Sequence, residues 1–174
     1  MIRSEKKVKE LSALLSRENS LLICEGIGLL REEEPFEGAI GLLASYYDTS
    51  EELSIRKTIE EFLNDLKDQS VTGEIMAEAR KPYRPATIAM LIASCWQSGL
   101  DYSGFSADLI DIFLKSDFMT ALECFTVLEE YAHELSISKR DEFIRIIGEY
   151  PPQISDEKTV LTKELISILK QEQE

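Results

Sequence analysis

A helical pattern breaks, turns and resumes at regular intervals along this chain of 174 residues. First helices are expected to begin near Ser4, Pro35, Ser70, Phe105 and Ser138, and second helices near Asn19, Thr49, Arg84, Asp117 and Ser155. Both series advance by roughly 30 to 38 residues per step, a period typical of stacked helical repeats. One pair of helices cannot bury its apolar face alone, so neighbouring pairs must share a core. The sequence therefore predicts an all-α fold, an α-solenoid of about five antiparallel helix pairs.

Residue types that favour helix ends, namely capping side chains and prolines, occur at the expected helix boundaries. Two pairs have capping-box spacing, in which a hydroxyl and a carboxylate satisfy orphan backbone N–H groups: Thr49 with Glu52, and Ser138 with Asp141. Asp117 is expected to cap its helix alone, and Pro85 suits a first helical turn. The Pro151-Pro152 dipeptide prevents helix between the last two helices.

The segment from Ala86 to Trp96 has almost no polar face. A helix that is apolar all round either lies in a membrane or is buried on several sides. A membrane span needs about 20 residues, so the segment is too short to cross one. It belongs to the third of the expected pairs, and we therefore expect it at the centre of one stack, with Trp96 buried. The charged ends of the chain suit capping surfaces, and a single helical-repeat domain over residues 1–174 is predicted.

One second helix has a distinctive order of side chains. Ile55-Arg56, Ile59 and Leu63 follow a turn at residues 48–50. In this order they resemble the second helix of HEAT and armadillo repeats, and residues 109–128 resemble another unit that lacks the Arg. The resemblance implies a curved stack whose second helices line a concave, partner-binding surface. Members of this class differ widely in function, so the resemblance implies architecture more than activity.

The charge balance narrows the class of partner. The chain has 19 Lys and Arg against 33 Asp and Glu, a net charge of −14. Nucleic-acid binding requires a basic footprint, so nucleic acid and anionic membrane are not expected as partners. A basic protein or peptide suits this charge better. The alternative is that acidity only keeps the protein soluble.

The beginning of the chain and its cysteines indicate a cytoplasmic protein. Residues 1–10 are charged, and no apolar stretch of signal-peptide length follows them. Cys24, Cys95 and Cys124 are far apart in apolar helical contexts, which indicates reduced core thiols and not a disulfide framework.

Candidate catalytic groups are sparse. The single histidine, His133, is followed by Glu134, and this pair resembles one of the His-Glu pairs on the HEAT-like repeats of di-iron deoxyhypusine hydroxylases. Those enzymes use several such pairs, and one pair cannot supply the ligand set. Gly26-Ile27-Gly28 has no preceding strand and no third glycine, so it does not indicate a phosphate loop. No catalytic, cofactor-binding or metal-ligating residue is assigned, and the chain is predicted not to be an enzyme.

Two features are candidate binding elements. In the loop from Lys81 to Pro85, prolines flank Tyr83 and Arg84, residue types favoured at interface centres. Carboxylates on the second helices of pairs two and four are expected to share one acidic groove: Glu60, Glu61, Asp65, Glu123 and Glu130. Ordinary helix punctuation and solvated helical faces are the alternative interpretations of these features.

The sequence thus favours a non-catalytic interaction scaffold that binds a protein or peptide partner on an acidic concave face. Two alternatives remain open. One is an immunity or inhibitor protein that acts against a basic toxin, where acidity would steer association. The other is an enzyme subunit whose site is completed by a cofactor or a second chain. The sequence does not indicate an oligomeric state.

Overall fold

The computed structural model describes residues 1–151 and 155–171, which form an all-α fold. The helices are α1 (Glu5–Leu15), α2 (Ser20–Leu29), α3 (Ala39–Thr49), α4 (Leu53–Asn64), α5 (Thr72–Ala79), α6 (Pro85–Gln97), α7 (Ser106–Lys115), α8 (Phe118–Tyr131), α9 (Ile137–Glu149) and α10 (Asp156–Lys170). An isolated parallel bridge joins Ile2 to Phe36, and the described residues contain no β-strand. None of the described helices has the length and apolar character to cross a membrane. The prediction of an all-α fold is confirmed.

The chain divides into two compact units, Met1–Asp101 and Tyr102–Glu174. In the first unit, α1 contacts α3 and α3 contacts α5, while α2 contacts α4 and α4 contacts α6. Sequential partners also touch: α1 packs on α2, α3 on α4 and α5 on α6. The second unit has the same alternation, because α7 contacts α8 and α9, and α10 contacts α8 and α9. The single domain over 1–174 stays a prediction.

Most helices begin where the sequence predicts. The side chains of four cap residues accept backbone N–H groups at the starts of α1, α2, α8 and α10: Ser4, Asn19, Asp117 and Ser155. Pro85 is the first residue of α6, where its missing N–H costs no helical hydrogen bond. These starts are predictable because a cap is local chemistry between residues two or three positions apart.

Both predicted capping boxes are wrong. Thr49 is the last residue of α3, and its hydroxyl donates back to the Ser45 carbonyl at 3.2 Å, a bond that competes with capping. α4 begins after Glu52 without a side-chain cap. Ser138 lies inside α9, because Ser136 has the same chemistry two residues earlier and accepts from the backbone N–H of Lys139.

Two further expectations place helix boundaries at prolines, one near Pro35 and one at Pro151-Pro152. α3 begins at Ala39 and not near Pro35, because the carbonyl of Pro35 and the N–H of Glu37 bond the backbone of Ile2. Gly38 then turns the chain into the helix with a φ of 91°, a conformation that glycine adopts without strain. Pro151 follows the end of α9, as expected, whereas Pro152 lies outside the described residues.

The expectation that α6 is buried on all sides is wrong. Leu91, Ile92 and Cys95 are buried, but Trp96 is 41% exposed and Ala86 is also exposed. In its unit, α6 contacts α3, α4 and α5. The apolar composition of α6 did not reveal its exposed side, because the residues on that side include small alanines and one tryptophan, which are themselves apolar.

Candidate functional site

Two carboxylates hold the starts of helices that lie 33 to 39 residues away in the chain. Glu74 on α5 accepts from the backbone N–H groups of Gly38 at 3.0 Å and Gly41 at 3.1 Å, at the start of α3. Asp48 on α3 accepts from the N–H of Arg84 at 2.8 Å and from the hydroxyl of Thr87 at 2.7 Å, at the start of α6. A negative charge at a helix N-terminus pairs with orphan N–H groups and with the helix dipole.

Other polar side chains of the first unit make bonds over a similar separation. These are Arg3 to Glu37 at 2.7 Å, Asn64 to Gln97 at 2.7 Å, and Gln69 to the N–H of Asp101 at 3.0 Å. They join residues 32 to 34 positions apart. The polar cross-links therefore follow the period read from the sequence.

The predicted acidic residues of the first unit each have a partner. Glu60 accepts from the hydroxyl of Tyr47, and burial, together with this bond, raises the pKa of Tyr47. Glu61 pairs with a lysine and Asp65 with an arginine, at 3.8 Å and 3.3 Å. These partners, Lys57 and Arg31, reduce the expected crowding of like charges.

The remaining predicted carboxylates lie on α8, in the second unit. Glu130 is exposed, whereas Glu123 is half-buried. The shared groove for all five carboxylates stays a prediction. Within the first unit, Glu60 and Glu61 lie on α4 and Asp65 is its C-terminal cap.

The structure places Tyr83 and Arg84 against α3 and the residues that follow it. The Tyr83 hydroxyl lies 3.1 Å from that of Ser45 and donates to Glu78 at 2.8 Å, and burial raises the pKa of Tyr83. The Arg84 guanidinium bonds Glu51 at 3.2 Å. Both residues therefore hold the loop in place, whether or not they also contact a partner.

Glu78 and Glu74 form a partly buried acidic pair that sequence analysis missed. Glu78 is buried and binds Lys81 at 2.7 Å as well as the Tyr83 hydroxyl. The Oε2 atom of Glu74 is buried without a hydrogen-bond partner among the described residues, and its burial raises the pKa of Glu74. A Cβ atom at Gly41 would lie 2.9 Å from the Glu78 carboxylate, so any larger residue there requires this carboxylate to shift.

Exposed large apolar side chains are concentrated on α2, α4, α6, α8 and α10, the helices that the sequence predicts to be second members of pairs. In the first unit they are Leu21, Leu22 and Leu29 on α2, Leu53 on α4 and Trp96 on α6. In the second unit they are Met119 on α8 and Val160 on α10. Among the described residues, only Met1 and Ile137 are large, apolar and exposed outside these helices. We call the exposed sides of α2, α4 and α6 the second-helix face.

A cavity of about 350 Å³ lies in the first unit, between the α2–α3 connection and the C-terminal end of α4. Its walls include the buried side chains of Phe36, Ile40, Phe62 and Leu66. Sequence analysis missed it because residues 30–40 and 62–71 meet only when α2 and α3 pack against α4.

The histidine and the cysteines do not form a reactive cluster. His133 is exposed, and its Nε2 atom lies 3.8 Å from Glu134. Across residues 1–151 and 155–171, no three His, Cys, Asp or Glu side chains converge in a way that would hold a metal ion. Cys95 and Cys124 are buried and Cys24 is half-buried, all as thiols.

Comparison with protein-family models, with curated proteins and with solved structures returns no match to this chain. Its function must therefore be inferred from its own residues.

Proposed function

We propose that this chain is a non-catalytic scaffold of the α-solenoid type, built from antiparallel helix pairs, that binds a protein partner through its second helices. Two observations support the repeat architecture. First helices contact first helices and second helices contact second helices within each unit. In the first unit, polar cross-links repeatedly join residues 32 to 39 positions apart. This alternation is the arrangement that the HEAT-like resemblance implies.

The observation that carries the binding surface is the placement of the exposed apolar residues. A large apolar side chain in water forgoes roughly 1.5 to 3 kcal/mol of burial free energy, and scattered single cases are common. Seven of the nine exposed large apolar side chains among the described residues lie on second helices, so these side chains are not scattered at random. Leu29, 65% exposed, and Trp96 lie on helices that both contact α4. Tryptophan is one of the residue types that are enriched at the energetic centres of protein interfaces.

Charge supports a basic character for the partner. Glu25 is exposed on α2, Glu61 is exposed on α4 beside its ion-pair partner Lys57, and the chain as a whole carries −14. Long-range attraction would speed the encounter with a basic surface, while the apolar side chains would slow dissociation. An inhibitor of a basic toxin is a narrower version of this proposal, and the cytoplasm is its proposed location.

Affinity capture from native lysate tests the proposal when it is combined with matched variants. Leu29→Ser with Trp96→Ser removes two apolar anchors of the second-helix face. Ile137→Ser is the control, because Ile137 is 73% exposed but lies on a first helix. We expect wild type and the control to retain a stoichiometric partner that the double variant loses. Capture that is equal in all three proteins would contradict the proposal.

A further inference from the structure

The cavity beside α4 has the size and lining of a small-ligand site. Ligand pockets usually enclose about 300 to 1,000 Å³, and an engineered apolar cavity of about 150 Å³ already binds benzene. This cavity of about 350 Å³ has room for an aromatic ring with a short chain. Phe36, Ile40 and Phe62 line the cavity and are 3%, 2% and 6% exposed, so the lining that they form is apolar and shielded from bulk water.

The charged residues that line the cavity favour a positive ligand. The acidic residues are Glu33, Glu34, Asp65 and Asp68, and the basic side chains are Arg31 and Lys67. Met1 also lines the cavity, and its ammonium group donates to the Ser70 hydroxyl at 3.0 Å. Acidic groups outnumber basic ones even when this ammonium is included, and the net charge of −14 acts in the same direction.

The Glu34 carboxylate is available for such a ligand. Of the other acidic groups, Glu33 pairs with Lys7 at 2.9 Å, and Asp68 accepts the N–H of Ser70 at 2.8 Å. Asp65 pairs with Arg31. Within the described residues, no hydrogen bond or ion pair involves the Glu34 carboxylate, and Glu34 is exposed.

We propose that this cavity binds a small apolar amine, whose hydrocarbon part enters between α3 and α4 and whose ammonium group pairs with Glu34. The site differs in position and chemistry from the second-helix face, so either can exist without the other. An amine suits the site better than the matching acid, because the Glu34 carboxylate, which makes no ion pair within the described residues, would attract the ammonium group and repel a carboxylate.

Three probes with the same hydrocarbon part test the site: 4-phenylbutylamine, 4-phenylbutanol and 5-phenylpentanoate. Each is titrated into the full chain and followed by ¹H–¹⁵N NMR. We expect saturable shifts at residues 30–40 and 62–71, with a Kd of about 1 mM or tighter for the amine. The alcohol should bind several-fold more weakly and the acid weakest. No saturable shifts with the amine, or an acid that binds as tightly, would overturn the proposal.

Variants separate filling of the cavity from the charge at its mouth. Ala39→Leu, on a residue that lines the cavity, should weaken the amine and the alcohol about tenfold or more. Glu34→Gln should weaken only the amine, and because Glu34 is exposed this variant keeps the test valid even if Ala39→Leu does not fold. Glu32→Gln is the matched control, since Glu32 is exposed and does not line the cavity. Equal amine binding in Glu34→Gln and Glu32→Gln would refute the assigned role of Glu34.

Discussion

Asp48, near the end of α3, accepts the backbone N–H of Arg84 at 2.8 Å and so fixes the start of a helix 36 residues further along the chain. The same carboxylate oxygen accepts from the Thr87 hydroxyl, and Thr87 is only 1% exposed. One half-buried aspartate therefore ties the end of α3 to the start of α6.

Removal of this carboxylate should destabilise the protein. Asp48→Ala leaves a buried hydroxyl and a helix-start N–H without their acceptor, which should cost about 1 to 3 kcal/mol. Glu51→Ala is the control, because the ion pair that Glu51 makes with Arg84 is exposed and its loss should cost less than about 1 kcal/mol. Urea unfolding of both variants measures the difference. Equal losses of stability in the two variants would show that the bond from the Arg84 N–H to Asp48 contributes no more than an exposed ion pair does.

Two helical glycines should respond in opposite ways to alanine. Gly73→Ala meets no atom within 4 Å and should stabilise α5 by about 0.5 to 1 kcal/mol. Gly41→Ala would bring a Cβ atom to 2.9 Å from Glu78, which Lys81 and Tyr83 hold in place. We expect Gly41→Ala to be at least about 1 kcal/mol less stable than Gly73→Ala in thermal unfolding. Equal stabilisation by both would mean that Glu78 moves away freely.

The pH dependence of stability should report the burial of Glu74. Desolvation raises its pKa above the ordinary value of 4.5, against the opposing effect of the Gly41 and Gly38 N–H groups. The folded state then holds this proton more tightly than the unfolded state. The stability that Glu74 contributes is therefore full below pH 4.5 and is lost as the pH rises through its folded pKa.

Glu74→Gln isolates this effect, because every other carboxyl group is common to both proteins. We expect the free energy of unfolding of wild type, relative to that of Glu74→Gln, to fall as the pH rises above 4.5. A relative stability that is constant or rises over this range would show that the pKa of Glu74 is not raised.

Exposed acidic residues on second helices should control partner association. Glu61→Lys with Glu130→Lys reverses exposed charges on α4 and α8, whereas Glu5→Lys with Glu142→Lys makes the same change in net charge on α1 and α9. We expect the first pair to slow association of the captured partner more strongly than the second, and added salt to reduce the difference. Stopped-flow or surface-plasmon measurements give the rates. Identical association rates for the two double variants would mean that the acidic residues of the second helices serve solubility alone.

The helix count and most helix starts could be predicted because caps and apolar periodicity are local signals, as Ser4, Asn19 and Asp117 show. Thr49 was misassigned because a hydroxyl at a boundary can either cap the next helix or bond back into the previous one. The sequence contains no signal that decides between these two hydrogen-bonding roles of the Thr49 hydroxyl.

The candidate sites were harder to predict because they join residues about one period apart. The groove predicted for Glu60, Glu61 and Asp65 stays a prediction. The Lys57 partner of Glu61 lies four residues away on the same helix, whereas the Tyr47 partner of Glu60 and the Arg31 partner of Asp65 come from packing between elements. The period itself offered an unused clue, since Asp48 precedes Arg84 by 36 residues. The exposed side of α6 had no such clue, because alanine occurs in cores and on surfaces alike.

Hydrogen exchange of the chain, alone and bound to its captured partner, tests the central claim most directly. Binding through the second-helix face should slow amide exchange in α2, α4 and α6. Exchange in α1 and α5, which the proposal makes first helices of their pairs, should change least. Slower exchange confined to α1, α3 and α5 would contradict the proposal that the second helices form the binding surface.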